Sequence, residues 1–197
     1  VIYRGVEPIK VSEHKSPAPT HVPIILYVGR LIDGKGVQDL IHALKKVENK
    51  QWLAWIVGDG PYREKLRSMT RTAGLGNRIT FWGEKSHADA LEYIHAATIV
   101  VNPSYTEGIP TTIIEASRAG KAIIATNVGG TSEIITDTET GLLYQPRNID
   151  MLAQHLALLL ESEGLRVTLG RKAQKSMEGR FSWEQAMVEY EHVWNNR

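Results

Sequence analysis

Hydrophobic and polar positions follow two patterns that alternate along most of the chain. Short unbroken apolar runs, such as 23–29, are typical of buried parallel strands. The segments between them, such as 37–47, repeat apolar residues every three or four positions, which is typical of amphipathic helices. The apolar runs predict strands at 23–29, 52–58, 78–83, 98–103, 121–127 and 141–145. The helical spacing predicts helices at 37–47, 61–74, 87–97, 110–119, 131–136, 149–161, 164–179 and 182–195.

This alternation predicts the fold class: an α/β protein with a Rossmann-like, doubly wound parallel sheet and helices on both faces. Residues 23–180 are expected to form this domain, with 181–197 as a closing helix. Residues 1–22, rich in proline, serine and charge, are expected to form a linker. Ligands bind such sheets beyond the carboxyl ends of the strands, so function is expected in the loops that follow strands.

Composition narrows the function classes. Apolar residues make up 42% and charged residues 23% of the 197, as in ordinary globular proteins, and no apolar run approaches the roughly 18–20 residues of a membrane helix. The net charge of +1 favours neither nucleic acid nor an anionic membrane as a bulk partner. The absence of cysteine removes disulfides, thiolate metal sites and cysteine nucleophiles, and fits a cytoplasmic location.

The first loop with candidate chemistry is "GRLIDGKG" at 29–36, between a predicted strand and a helix. Gly29 allows close backbone approach, while Arg30 and Lys35 place two cations near a helix N-terminus. This arrangement predicts a diphosphate site, although a solvated turn would have the same sequence. The spacing is not that of a Walker A loop.

The second loop, "VGDGPYR" at 57–63, follows the next strand. Gly58 and Gly60 begin a G-x-G-x-x-G fingerprint, but Arg63 stands where the third glycine belongs. Dinucleotide binding is therefore disfavoured, and the loop is interpreted as a tight strand-to-helix turn.

The third loop is "TEGIPTTIIEA" at 106–116. Pro110 suits the first position of a helix, which would leave the N–H groups of Thr111 and Thr112 free to bind an anion. Glu107 before the helix could accept hydrogen bonds from sugar hydroxyls, and Glu115 within it from a ribose diol. The alternatives are that Glu107 caps the helix and that Glu115 is a surface charge.

The remaining candidates indicate structure rather than chemistry. No D-x-D pair occurs, so no metal-dependent route to donor phosphates is indicated. His87 at a helix start is expected to cap that helix or lie on the surface. The other histidines in helical patterns are not expected to bind metal: His42, His95, His155 and His192. Most tryptophans are expected to be packing residues: Trp52, Trp55, Trp183 and Trp194.

From 25 to 146 the chain resembles the C-terminal, donor-binding half of GT-B glycosyltransferases of family 4. The resemblance is carried by "GRLIDGKG", "IVGDGP", "TGLLYQP" and the long stretch from "ITFWGEKSHADA" to "NVGGTSEII". The most specific element is the pair Glu107 and Glu115, separated by seven residues.

The resemblance implies roles for individual residues. Arg30 and Lys35 match positions that bind the donor diphosphate and stabilise the leaving nucleotide. Glu107 matches a position that contacts the transferred sugar, beside the backbone of Gly108 and Ile109.

Three further positions concern the nucleoside and the helix start. Glu115 matches the ribose-binding position, and the loop around Trp82 and Lys85 matches one near the base. Many members have glycine where Pro110 stands, so phosphate contacts are expected to fall to the following amides.

The resemblance also implies the reaction and its partners. These are retaining, metal-independent transfer of a hexose from a nucleotide sugar, UDP- or GDP-linked, to a glycan or lipid-linked acceptor in polysaccharide biosynthesis. No other cofactor is expected. The N-terminal acceptor domain is missing, so the chain is expected to bind the donor but to transfer the sugar poorly when alone. Association with the inner face of a membrane is expected to occur through the missing domain. The alternatives are a non-catalytic nucleotide-binding module and another GT-B enzyme, such as an epimerase.

Overall fold

A computed structural model describes residues 21–178 and Arg180, and a parallel sheet of six strands forms the centre of this part of the chain. The strands are β1 (Ile24–Val28), β2 (Leu53–Val57), β3 (Ile79–Gly83), β4 (Ile99–Asn102), β5 (Ala122–Thr126) and β6 (Leu142–Tyr144). The helices are α1 (Val37–Lys46), α2 (Arg63–Thr72), α3 (His87–Ala96), α4 (Thr111–Arg118), α5 (Thr131–Ile134), α6 (Ile149–Glu161) and α7 (Glu163–Ser176).

The strand order is β3-β2-β1-β4-β5-β6, so the chain reverses direction across the sheet between β3 and β4. β1 pairs with β2 on one side and with β4 on the other, where Ile25 aligns with Ile99 and Leu26 with Val100. The topological switch point therefore lies between β1 and β4. Because every strand is parallel, their carboxyl ends meet at one edge, and the expected doubly wound fold is confirmed.

Both faces of the sheet are covered, which explains the unbroken apolar runs of the strands. In β1, Ile25 and Tyr27 belong to the core beneath α1, α2 and α6. Ile24 and Leu26 alternate with them and belong to the core beneath α3 and α4. Alternation of side chains along a strand sends neighbours to opposite faces, so a strand between two helical layers must be apolar throughout. Trp52 and Trp55 are buried as predicted.

The structure corrects some boundaries from the sequence. Pro110 is not the first helical residue: its φ of -75° and ψ of 102° are extended, and α4 begins at Thr111. A short 3-10 turn at Asp33–Lys35, which the pattern did not predict, shapes the loop after β1. The predicted linker and the predicted closing helix, with Trp183, His192 and Trp194, lie outside the described residues apart from 21 and 22.

Candidate functional site

A polar cleft of about 220 Å³ opens at the switch point, between the loops that follow β1 and β4. Eight of the residues predicted for the donor site line it: Gly29, Arg30, Lys35, Glu107, Ile109, Pro110, Thr111 and Thr112. The other four, Gly108, Glu115, Trp82 and Lys85, are not part of its lining. The two loops predicted independently to bind a diphosphate thus form one cavity.

Lys35 and Glu107 face each other across the cleft. The Lys35 Nζ donates to Glu107 Oε1 at 2.6 Å, and the two side chains are only 22% and 12% exposed. The Asn102 amide at the end of β4 lies 3.5 Å from the same oxygen. Glu107 therefore does not cap α4; it neutralises one of the two cations predicted for a diphosphate.

The start of α4 supplies backbone donors to the same cleft. The Pro110 carbonyl accepts from the Ile113 N–H at 3.0 Å and so begins the helical hydrogen bonds. The Thr111 and Thr112 N–H groups have no acceptor among the described residues. The sequence predicted these free amides, and because they have the helix dipole behind them they favour an anion, whose binding here stays a prediction.

Tyr27 is a part of the site that the sequence analysis missed. Its hydroxyl donates to the Arg30 carbonyl at 2.8 Å and holds the loop after β1, while the Arg30 side chain stays exposed. Burial, with the nearby Glu107 carboxylate as a second cause, raises the pKa of Tyr27 well above its usual range. The hydroxyl therefore remains a donor at neutral pH. The sequence signal that could have identified Tyr27 is a side chain with a polar hydroxyl near the end of an otherwise apolar strand.

The loop that carries Glu107 is supported from below by the glycines after β5. The Gly130 N–H donates to the Gly108 carbonyl at 2.7 Å. A Cβ on Gly129, whose φ is +50°, would lie 1.8 Å from the Glu107 carbonyl oxygen. Only glycine permits this approach, so this turn packs directly against the backbone of the Glu107 loop.

Glu115 lies one turn deeper in α4, where its side chain is only 8% exposed, so it is not a surface charge. His87, the first residue of α3, places Nε2 at 2.8 Å from Glu115 Oε1. Ser86, not His87, caps α3, by accepting from the Asp89 N–H. Of the two roles predicted for His87, capping is therefore wrong, and a surface position is confirmed, since 63% of its side chain is exposed.

The residues expected near the base are Trp82 and Lys85. The Trp82 ring meets Trp55 edge-on at 6.1 Å between centroids and Tyr93 at 5.3 Å, so it is largely a packing residue. Lys85 is exposed in the following loop. Within the described part of the chain, no set of three or more acidic or histidine side chains is placed to hold a metal, and no helix is long and apolar enough to cross a membrane.

Comparison with known protein families identifies the family of this chain. Residues 9–176 match the family model described as glycosyl transferases group 1. The chain belongs to this family. An uncharacterised glycosyltransferase of Methanocaldococcus jannaschii is 32% identical over 83% of the chain. The GDP-mannose-dependent alpha-(1-6)-phosphatidylinositol monomannoside mannosyltransferase of Mycobacterium tuberculosis is 31% identical over 82% of it. The chain covers 45% and 44% of these relatives, about half of their length.

Solved structures of GT-B glycosyltransferases share the fold. The match with sucrose-phosphate synthase from Thermosynechococcus elongatus covers 91% of this chain and 46% of the synthase chain, with a TM-score of 0.84 and 30% sequence identity. The match with Anabaena HepE, solved in complex with UDP and glucose, covers 88% of this chain and 48% of the HepE chain, with a TM-score of 0.82 and 25% sequence identity. The match with the C-terminal domain of a glycosyl transferase group 1 family protein from Francisella tularensis covers 92% of this chain and 97% of that domain, with a TM-score of 0.77 and 26% sequence identity.

Proposed function

We propose that the chain binds the diphosphate of a nucleotide sugar in the cleft between β1 and β4. The observation that carries this proposal is the convergence of Arg30, Lys35 and the free amides of Thr111 and Thr112 on one cavity at the switch point. Cations and a helix N-terminus together favour a phosphate group over a neutral ligand. HepE, a structural neighbour, was solved with UDP and glucose, which supports this choice of ligand class.

The same groups would serve glycosyl transfer by electrostatic stabilisation. Negative charge grows on the diphosphate as the sugar leaves, and donors already in place lower the free energy of that state. Glu107 would hold the transferred sugar through its hydroxyls and stabilise positive charge on an oxocarbenium-like sugar ring. Its contact with Lys35, which would bind the diphosphate, supports this role, because the carboxylate would then lie where the diphosphate joins the sugar.

The finer features of the reaction belong to the same proposal. They are retention of configuration, independence of a metal, a UDP- or GDP-linked hexose as donor, and a glycan or lipid-linked acceptor. Acceptor recognition would come from a preceding domain, since the chain covers about half of its relatives. A cytoplasmic location, at the inner face of a membrane for a lipid-linked acceptor, stays a prediction.

Calorimetric titration of the 197-residue chain with UDP, GDP and ADP, and with their sugar conjugates, tests the proposal. We expect one nucleotide series to bind with a micromolar to millimolar Kd. The Arg30→Ala, Lys35→Ala double variant should weaken that binding at least tenfold, because charged hydrogen bonds contribute about 1.5–3 kcal/mol each.

The matched control is the Lys65→Ala, Arg67→Ala double variant, which removes the same charges from the exposed face of α2. It should bind like the unaltered chain. Equal loss in both double variants would mean that net charge, not the cleft, attracts the nucleotide. Binding of no nucleotide by the unaltered chain would contradict the proposal.

A further inference from the structure

His87 and Glu115 meet outside the cleft, where α3 and α4 approach each other. The Glu115 carboxylate is enclosed, with 8% of its side chain exposed, while the His87 ring is 63% exposed. The two residues are 28 positions apart in sequence, and their Nε2–Oε1 distance of 2.8 Å is that of a good hydrogen bond. Because an ionised carboxylate only accepts, His87 Nε2–H is the donor.

A carboxylate with so little exposure needs a hydrogen-bond donor, because an unpaired buried charge is strongly unfavourable. His87 meets this need through Oε1. A carboxylate has about four lone-pair sites, so Oε2 and the second lone pair of Oε1 can still accept from a diol. The contact thus holds the orientation of the carboxylate without using up its capacity for a ligand.

We propose that His87 is a positioning residue for nucleoside recognition: it fixes the Glu115 carboxylate in the orientation that accepts the ribose 2′- and 3′-hydroxyls. This inference rests on the proposed function and on the ribose-binding role that the family resemblance implies for Glu115. His87 acts through Glu115 and need not touch the nucleotide. Its exposed position at the first residue of α3 makes it replaceable without disturbing the core.

The test compares two ligands: the nucleoside diphosphate that binds best among UDP, GDP and ADP, and its 2′,3′-dideoxy form. Calorimetric Kd values are measured for the unaltered chain, His87→Ala, His87→Gln, Glu115→Gln and the His87→Ala, Glu115→Gln double variant. His87→Ala should weaken binding of the ribose form about five- to tenfold, which is the range of one hydrogen bond. Binding of the dideoxy form should not change.

Two further results are expected if His87 acts through Glu115. His87→Gln should restore much of the affinity, because its amide can donate to the same oxygen. In the Glu115→Gln background, His87→Ala should cause no additional loss, since coupled residues are not additive. His42→Ala, which removes an exposed histidine of α1, is the matched control and should leave both affinities unchanged.

Three outcomes would overturn the inference. If His87→Ala leaves the affinity for the ribose form unchanged while Glu115→Gln weakens it, then Glu115 contributes to binding and His87 does not. Tighter binding in His87→Ala would mean that His87 competes with the ribose. Equal losses for ribose and dideoxy forms would indicate a purely structural role. If no nucleotide binds to the unaltered chain, the proposed function itself fails, which is a distinct result.

Discussion

The contact between Lys35 and Glu107 is expected to affect which ligand the cleft binds best. The two residues are 72 positions apart and bring opposite charges to 2.6 Å. While they are paired, the lysine is partly neutralised and a diphosphate must compete with the carboxylate for it. A ligand that offers phosphate oxygens to Lys35 and sugar hydroxyls to Glu107 satisfies both groups at once. We therefore expect the pair to favour the complete nucleotide sugar over the bare nucleotide.

Glu107→Gln tests this at the scale of one residue. The neutral amide frees Lys35, so we expect the bare nucleotide to bind as tightly as before or more tightly. The sugar conjugate should lose its advantage, by roughly tenfold, because a charged acceptor for its hydroxyls is gone. Calorimetric titration with the nucleotide and its conjugate measures the ratio. Glu64→Gln, the same charge change on the exposed face of α2, should alter neither Kd.

The elements of the site are held together by backbone contacts between neighbouring loops. The Leu31 N–H donates to the Asp59 carbonyl at 2.9 Å, and the Tyr62 N–H donates to the Leu31 carbonyl at 2.9 Å. A Cβ on Gly58, whose φ is +131°, would lie 1.9 Å from the Gly29 carbonyl oxygen. The G-x-G of the second loop thus forms the tight turn that the sequence favoured, and it lets this loop support the one that carries Arg30.

Gly58→Ala should therefore damage both stability and binding. We expect a loss of about 3 kcal/mol or more in the free energy of unfolding, since both a backbone clash and an unfavourable φ are introduced. Urea denaturation measures this loss, and calorimetry should show weaker nucleotide binding as the first loop is displaced.

Gly74→Ala separates the two causes, because Gly74 also has a positive φ, +72°, but has open space around its Cβ position. It should lose only about 1 kcal/mol and keep its affinity. Comparable losses in the two variants would mean that the contact between the loops contributes little.

At the scale of the whole molecule, the cleft lies at one edge of the sheet, where the described residues form it from the loops after β1 and β4 and the start of α4. The chain corresponds to about half of its relatives. A solved C-terminal domain from Francisella tularensis, of which the chain covers 97%, is similar to it on its own. Donor binding and glycosyl transfer are therefore expected to be separable properties.

We expect the 197-residue chain to bind the nucleotide sugar without transferring the sugar. A longer protein that joins an acceptor-binding domain to the N-terminal side of this chain should both bind and transfer, because acceptor recognition would then be present. Calorimetry and release of nucleoside diphosphate with a panel of acceptors measure the two properties. Binding without any turnover by the longer protein would favour the non-catalytic nucleotide-binding module instead.

The sequence by itself determined the six strands, their burial on both faces, and the loops that carry Arg30, Lys35 and Glu107. These features depend on residues close together in the chain, where periodicity and turn residues act directly. Only the tertiary structure decided the strand order that puts β4 beside β1, and with it the cleft. It also decided that Glu107 pairs with Lys35 and that His87 holds Glu115. Such contacts depend on how distant elements pack, which local patterns do not encode.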